Sequence, residues 1–158
     1  MIDLTDSTIQ TTRNLCAELR PSVLDDLGLA EAVRWYAEDY SKRSGIRCDV
    51  SIVPENLSAE EERSTAVFRI FQETLTNVAL HAEATMVKAE LRSASGNLEL
   101  EVKDNGKGIT WKQLTDPKSF GLIGIRERIK AFGGEDRITG VPGKGTVVKV
   151  RIPLLVEN

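Results

Sequence analysis

Glu73 and Asn77 lie one helical turn apart within the run Ser58 to His81. A carboxylate and an amide at that spacing can share a Mg²⁺–phosphate site. The amide oxygen is a hard ligand, and the carboxylate accepts a proton or positions a water. Arg69 and His81 extend the same row, every fourth residue along one helix face. Such a row is also what the solvated side of an ordinary helix looks like. Three glycine-rich stretches follow. Asp104-Asn105-Gly106-Lys107-Gly108 comes directly after a strand pattern, Gly121-Leu122-Ile123-Gly124-Ile125 opens a helix pattern, and Gly143-Lys144-Gly145-Thr146 precedes the last strand. Backbone without Cβ can approach a ligand closely, and free N–H groups where a helix begins attract phosphate charge. Neither the P-loop pattern nor a dinucleotide-binding fingerprint is present.

The elements that must position these residues can be read from periodicity. Val67, Ile70, Phe71, Thr74 and Val78 give the Ser58–His81 run an apolar face, and Ser58 with Glu61 predicts a capping box at its start. Upstream, residues 5 to 20 read as a helix that Pro21 breaks, and Ser22 to Gly28 as a linker anchored by Val23, Leu24 and Leu27. Leu29 to Ser44 reads as a second helix stopped by Gly45, with Trp35 expected in the core. Ile46 to Val53 alternates as a half-buried strand. Thr85 to Arg92 and Leu98 to Lys103 form a hairpin that ends on Asp104. Residues 109 to 119 have no clear period and read as a short lid or an ordinary surface loop. Gly121 to Phe132 is a helix ended by Gly133-Gly134, and strands near Asp136–Thr139 and Thr146–Pro153 close the sheet. This order implies a mixed sheet with helices over one face.

In this order, the motifs around Glu73, Asn77, Asp104, Gly121 and Gly145 resemble the ATP-binding domain of sensor histidine kinases, within the wider superfamily that also holds gyrase, Hsp90 and MutL. The resemblance runs from about residue 20 to the end. Leu19-Arg20-Pro21, Leu27-Gly28-Leu29 and the stretch Gly121 to Arg128 are similar to the subfamily that signals to response regulators with helix-turn-helix output domains. It implies the Bergerat fold, an α+β two-layer sandwich whose mixed, mostly antiparallel sheet is covered on one face by helices, with ATP between the layers. It implies Mg²⁺ on Asn77 and Glu73 as the polarising base. It further implies nucleotide contacts from Asn77, His81, Asp104, Gly106, Gly108, Ile109, Gly121, Leu122, Gly124, Gly145 and Thr146, although Gly143 and Gly145 also read as supports for the pocket. Asp104 would select the base: adenine offers an amino donor where guanine offers a carbonyl acceptor, so a fixed carboxylate attracts one and repels the other. Asp before Asn-Gly is also a common turn former, and His81 is either a phosphate neighbour or a helix-end histidine without a role. Lys107 and Arg126 or Arg128 are further candidates for phosphate charge.

Composition narrows the classes. The 158 residues fit one domain, and a formal charge of −3 argues against nucleic-acid binding as the main function. No apolar run reaches the length of a membrane span, and the Met1-Ile2-Asp3-Leu4 start has no signal-peptide pattern. The domain is expected to face the cytoplasm, where ATP is. Cys16 and Cys48 read as reduced thiols. By resemblance, residues 1–20 are the tail of a dimerisation and phosphoacceptor helix and 21–158 the catalytic domain; a helix packed on the domain itself is compatible with the same pattern. His81 is the only histidine, so the chain is expected to bind ATP but not to phosphorylate itself at the usual upstream histidine, and to be monomeric. The expected reaction is transfer of the ATP γ-phosphoryl group to a histidine on a separate dimerisation domain, and thence to a response regulator. An ATP hydrolase, or a nucleotide-gated interaction module without turnover, is the alternative.

Overall fold

The structure, a computed structural model, describes residues 21–155. The helix expected over residues 5–20, with Cys16, lies outside these. Four helices and five strands follow: α1 (Ser22–Ser44), β1 (Arg47–Val53), α2 (Glu61–Asn77), β2 (Met86–Ala94), β3 (Asn97–Asp104), α3 (Trp111–Thr115), α4 (Phe120–Ala131), β4 (Glu135–Val141) and β5 (Gly145–Pro153), with a π-helical turn, Val78–Ala82, continuing α2. The strand order is β1-β2-β3-β5-β4. Only β1 and β2 pair in parallel. A parallel pair needs a crossover, and α2 supplies it.

The sheet alternates as an antiparallel sheet with one wet face should. Val87, Ala89, Leu91, Leu98, Leu100, Val102, Val148, Val150 and Ile152 are buried beneath the helices. Glu90, Arg92, Glu99, Glu101, Lys149 and Arg151 point the other way and form exposed ion pairs such as Lys149–Glu101 at 2.9 Å. The layer above is centred on α2, whose Phe68, Ile70, Phe71 and Leu75 are fully buried. Each such side chain contributes roughly 1.5–3 kcal/mol by burial. Val33, Ala37 and Tyr40 of α1 and Ile125 and Ile129 of α4 close on it from either side. The predicted two-layer α+β architecture is the one observed.

Several local expectations are corrected. Ser22 to Gly28 is not a linker: it is helical, and α1 is interrupted only at Gly28, whose φ of 75° and ψ of 172° turn the chain before the helix resumes. Within that segment Leu24 is buried but Leu27 is exposed. Trp35 is 50% exposed rather than core. It stands two residues past buried Val33, about 200° further round the helix. The capping box of Ser58 and Glu61 does not form. The α2 N-cap is Glu60 in extended conformation, and its carboxylate is engaged by the Leu155 amide at 2.9 Å. Leu57, 3% exposed, is drawn into the core just before it, so burial of one side chain delays the helix past the local cap signal. Residues 109–119 contain a helix that periodicity does not announce, α3, capped by Thr110 and Gln113 in a capping box.

Candidate functional site

A cavity of about 340 Å³ opens between the end of α2, the π turn, the α3 segment, the start of α4 and the ends of β3 and β5. Small-molecule sites commonly start near ~300 Å³. Glu73, Asn77, His81, Asp104, Gly108, Ile109, Gly121, Leu122 and Thr146 all line it, although they come from four separate stretches of the chain. Gly106, Gly124 and Gly145 stand behind the lining. Arg69 does not reach the cavity, so the polar row is split: its last three members serve the pocket.

At one end, α2 presents Glu73 and Asn77 to the first turn of α4. A Cβ on Gly121 would lie 2.3 Å from Glu73 Oε1 and 3.2 Å from Asn77 Oδ1. A side chain at Gly121 would therefore crowd both oxygens and displace the end of Glu73, whereas glycine leaves them open. Two hard oxygen donors left uncovered by side chains suit a magnesium ion that arrives with phosphate. Among the described residues no group of three or more His, Cys, Asp or Glu converges to hold a resident metal. The π turn that follows Asn77 changes the helix period, and it brings both Leu80, 61% exposed, and His81 onto the cavity wall. A π turn at such a place is a common companion of functional sites.

At the other end, Asp104 is 5% exposed. Its Oδ1 accepts from the Gly106 amide at 2.8 Å and the Thr146 amide at 3.3 Å. Both bonds fall on one oxygen, which orients the carboxylate and leaves Oδ2 as the oxygen available to a ligand. Thr146 Oγ1 accepts from Ile109 N–H at 2.9 Å, joining the loop after β3 to the start of β5. The glycines are forced by close approach: a Cβ at Gly145 would be 1.9 Å from the Asp104 carbonyl oxygen, and one at Gly106 would be 2.1 Å from that of Ala82. Gly124 faces Arg128, whose guanidinium donates to its carbonyl at 3.1 Å.

Val102, Ile125, Ile138 and Val148 form an apolar floor. Among the cations proposed for phosphate charge, Lys107 lines the cavity and pairs with Glu83 at 3.5 Å. Arg126 instead bonds the Leu114 carbonyl at 3.3 Å and faces Asp136 at 3.6 Å, outside the cavity. Lys118, Ser119, Gln113 and Leu80 line the cavity and were not anticipated. Ser119 precedes α4 in the place where an N-cap stands, and Thr110-x-x-Gln113 is a capping box; both signals are visible in the sequence. Of the two rings near the mouth, Phe120 lines the cavity, whereas Trp111 is 78% exposed and does not.

The chain matches known proteins over most of its length. Residues 62–156 match the model of the histidine kinase-, DNA gyrase B- and HSP90-like ATPase family. The chain is 31% identical over 152 residues to the signal transduction histidine-protein kinase/phosphatase DegS of Brevibacillus brevis, covering 96% of this chain and 39% of that protein. It is 37% identical over 151 residues to the oxygen sensor histidine kinase NreB of Staphylococcus carnosus, covering 92% and 42%. It thus spans about two fifths of the length of these relatives. Among solved structures, the histidine kinase domain of the Erythrobacter litoralis blue-light activated histidine kinase superposes with a TM-score of 0.64 at 26% identity, over 80% of this chain and 61% of that one. The Acinetobacter baumannii histidine kinase AdeS, at 14% identity and a TM-score of 0.67, shares the fold over 98% of this chain and 81% of that one. With its family region running from α2 through the last strand, the chain belongs to the histidine kinase-, DNA gyrase B- and HSP90-like ATPases.

Proposed function

We propose that this chain is the catalytic domain of a sensor histidine kinase that binds Mg²⁺-ATP and donates its γ-phosphoryl group to a histidine on a dimerisation domain, from which a response regulator receives it. One observation carries the reading. A single cavity has a backbone-fixed carboxylate, Asp104, at one end and a carboxylate–amide pair, Glu73 and Asn77, bared by Gly121 at the other. The first suits a base with an amino donor, and the second suits magnesium-bound phosphates.

In this reading the adenine amino group donates to Asp104 and the ring lies on the apolar floor. The Gly106 and Thr146 amides hold the carboxylate, and the Thr146 hydroxyl with the Ile109 amide keeps the two loops together. Asn77 would hold a magnesium ion, and the chemistry that ion would supply is neutralisation of phosphate charge. Gly121, Leu122 and Gly124 carry the start of α4, where unpaired N–H groups meet the phosphates, and His81 and Lys107 complete that wall, while Gly108, packed on Val141 and Gly145, lets the backbone approach the base and ribose. Glu73 accepts from an N–H of the incoming imidazole while its other nitrogen attacks the γ-phosphorus. The bond from phosphorus to the ADP oxygen breaks as the phosphorus–nitrogen bond forms. Such transfer needs positioning and charge neutralisation more than covalent help from the protein. The site draws on ATP and so faces the cytoplasm. No helix among the described residues is long and apolar enough to cross a membrane.

Calorimetric titration with ATP, ADP and GTP, with and without Mg²⁺, on the wild type and Asp104→Asn tests the site. ATP and ADP are expected to bind in preference to GTP, and the substitution to weaken them by roughly ten- to a hundredfold, the cost of a lost charged hydrogen bond. Labelled phosphate should then pass from ATP to an added phosphoacceptor domain, and Glu73→Gln should slow that step far more than it weakens binding. Hydrolysis without an acceptor would favour an ATP hydrolase instead, and tight binding with no chemistry a nucleotide-gated module.

A further inference from the structure

Asn105 sits between the two most constrained residues of the base-side loop, yet its side chain is exposed and does not line the cavity. It is nevertheless closely engaged. Its Oδ1 accepts from the Thr85 amide at 2.9 Å and the Met86 amide at 3.0 Å, its Nδ2 donates to Thr85 Oγ1 at 2.9 Å, and its own N–H donates to the Met86 carbonyl at 3.2 Å. Both acceptor positions of the carboxamide oxygen are therefore used. The bonds go to the segment that leaves the π turn and enters β2. Beside them, the Lys107 amide donates to the Ala82 carbonyl at 2.8 Å, and Gly106 packs so closely on that carbonyl that no side chain fits. The loop that carries Asp104 is thereby tied to the turn that continues from Asn77 and carries His81.

Asn105 buries little apolar surface, so these bonds do little for the core. What they fix is a relation between two loops. One end of the cavity reads the base and the other meets the phosphates, so their separation has to match the length of the nucleotide. We propose that Asn105 is a positioning residue for nucleotide binding: it locks the base-reading loop to the Thr85–Met86 segment that follows the π turn, and with the Lys107–Ala82 bond so helps set the distance between the Asp104 end and the Asn77 end of the cavity. This rests on the nucleotide-binding reading above and adds to it a residue that touches no ligand.

The test compares wild type, Asn105→Ala and Asn105→Asp. Affinities for ATP, GTP and adenosine are measured at low temperature, where far-UV circular dichroism verifies that each variant is folded, and Tm is recorded separately. A carboxylate retains the two acceptor bonds, and the Thr85 hydroxyl can turn to donate to it, so Asn105→Asp is the conservative rescue. Asn105→Ala is expected to weaken ATP roughly ten- to a hundredfold, as a misplacement of about 1 Å can, and to narrow the preference for ATP over GTP. Adenosine, which needs only the base end, should lose less, and Asn105→Asp should stay within about threefold of wild type, since it keeps the positioning bonds. A lower Tm with unchanged ATP affinity in folded Asn105→Ala would overturn the proposal and leave Asn105 a purely structural staple. Equal losses for ATP and adenosine would overturn the two-ended role. Absence of ATP binding by the wild type would instead overturn the nucleotide reading itself, and this inference with it. Should Asn105→Ala not fold, Thr85→Val removes only the Nδ2 partner; a two- to threefold loss of ATP affinity, of the order one neutral hydrogen bond provides, is expected, and no change overturns the proposal.

Discussion

Gly121 and Gly145 are both crowded by neighbouring residues, but in different ways, and substitution should separate them. Gly121 is helical, so alanine there suits the backbone, and the clash falls on the flexible end of Glu73. Gly121→Ala is expected to fold with unchanged or slightly raised Tm, since alanine favours a helix interior by up to about 1 kcal/mol. Phosphoryl transfer should fall about tenfold or more through the displaced carboxylate; acceptor-domain phosphorylation assays measure it, and full activity would contradict the role given to Glu73. Gly145 has φ of 103°, and its missing Cβ would strike the Asp104 backbone. Gly145→Ala should therefore cost stability, about 2 kcal/mol or more, from strain at a positive φ and overpacking, read as a lower urea midpoint. Glycine identity was visible in the sequence at both places. Which glycine bares Glu73 and Asn77 and which one packs on Asp104 was not, because that depends on what another segment places against it.

At the scale of elements, α3 is the least anchored part of the site. It is five residues long, none of them buried, and its definition comes from the Thr110–Gln113 capping box and from the Ser119 hydroxyl bonded to the Gln113 carbonyl at 2.9 Å. An isolated helix this short is not stable by itself. Thr110→Ala should remove about 1 kcal/mol of local stability. Limited trypsin digestion is expected to cut faster at Lys112 and Lys118, with global Tm almost unchanged and with ATP restoring protection. Equal digestion rates would mean that the cap does not hold the segment. The reading of residues 109–119 as a short lid is compatible with this arrangement. Its helix was legible in Thr-x-x-Gln and hidden only by the lack of an apolar period. The converse holds for α2, where a good cap signal at Ser58 and Glu61 is overridden by the burial of Leu57 and the tie from Glu60 to Leu155. Local signals set what an element prefers, and burial elsewhere decides whether it is obeyed.

For the whole molecule, burial leaves a mark on alkaline stability. Tyr40 is buried beneath α2, and its hydroxyl is pushed up to about 12, while burial raises the half-buried Cys48 thiol to about 11. Between the ordinary values of 9.0 and 10.0 and these, the unfolded chain loses protons that the folded chain keeps. Unfolding is then favoured as pH rises. Stability is fully present below pH 9.0 and should decline by several kcal/mol, up to about 5, by pH 12. Urea midpoints across that range measure it, and Cys48→Ala should delay the onset towards pH 10.0. A flat profile would show that neither group is desolvated. The sequence by itself determined the periodic elements, the alternation of the sheet, the family and the residue types of the site, because these depend on spacing within short segments. Only the tertiary structure decided that Glu73, Asn77, His81, Asp104, Gly108, Ile109, Gly121, Leu122 and Thr146 share one cavity while Gly106, Gly124 and Gly145 stand behind it, that Trp35 is left outside, and that Asn105 bonds Thr85 and Met86. Those outcomes depend on contacts between segments far apart in the chain, whose distances are set by packing the whole core and leave no periodic trace in any one of them.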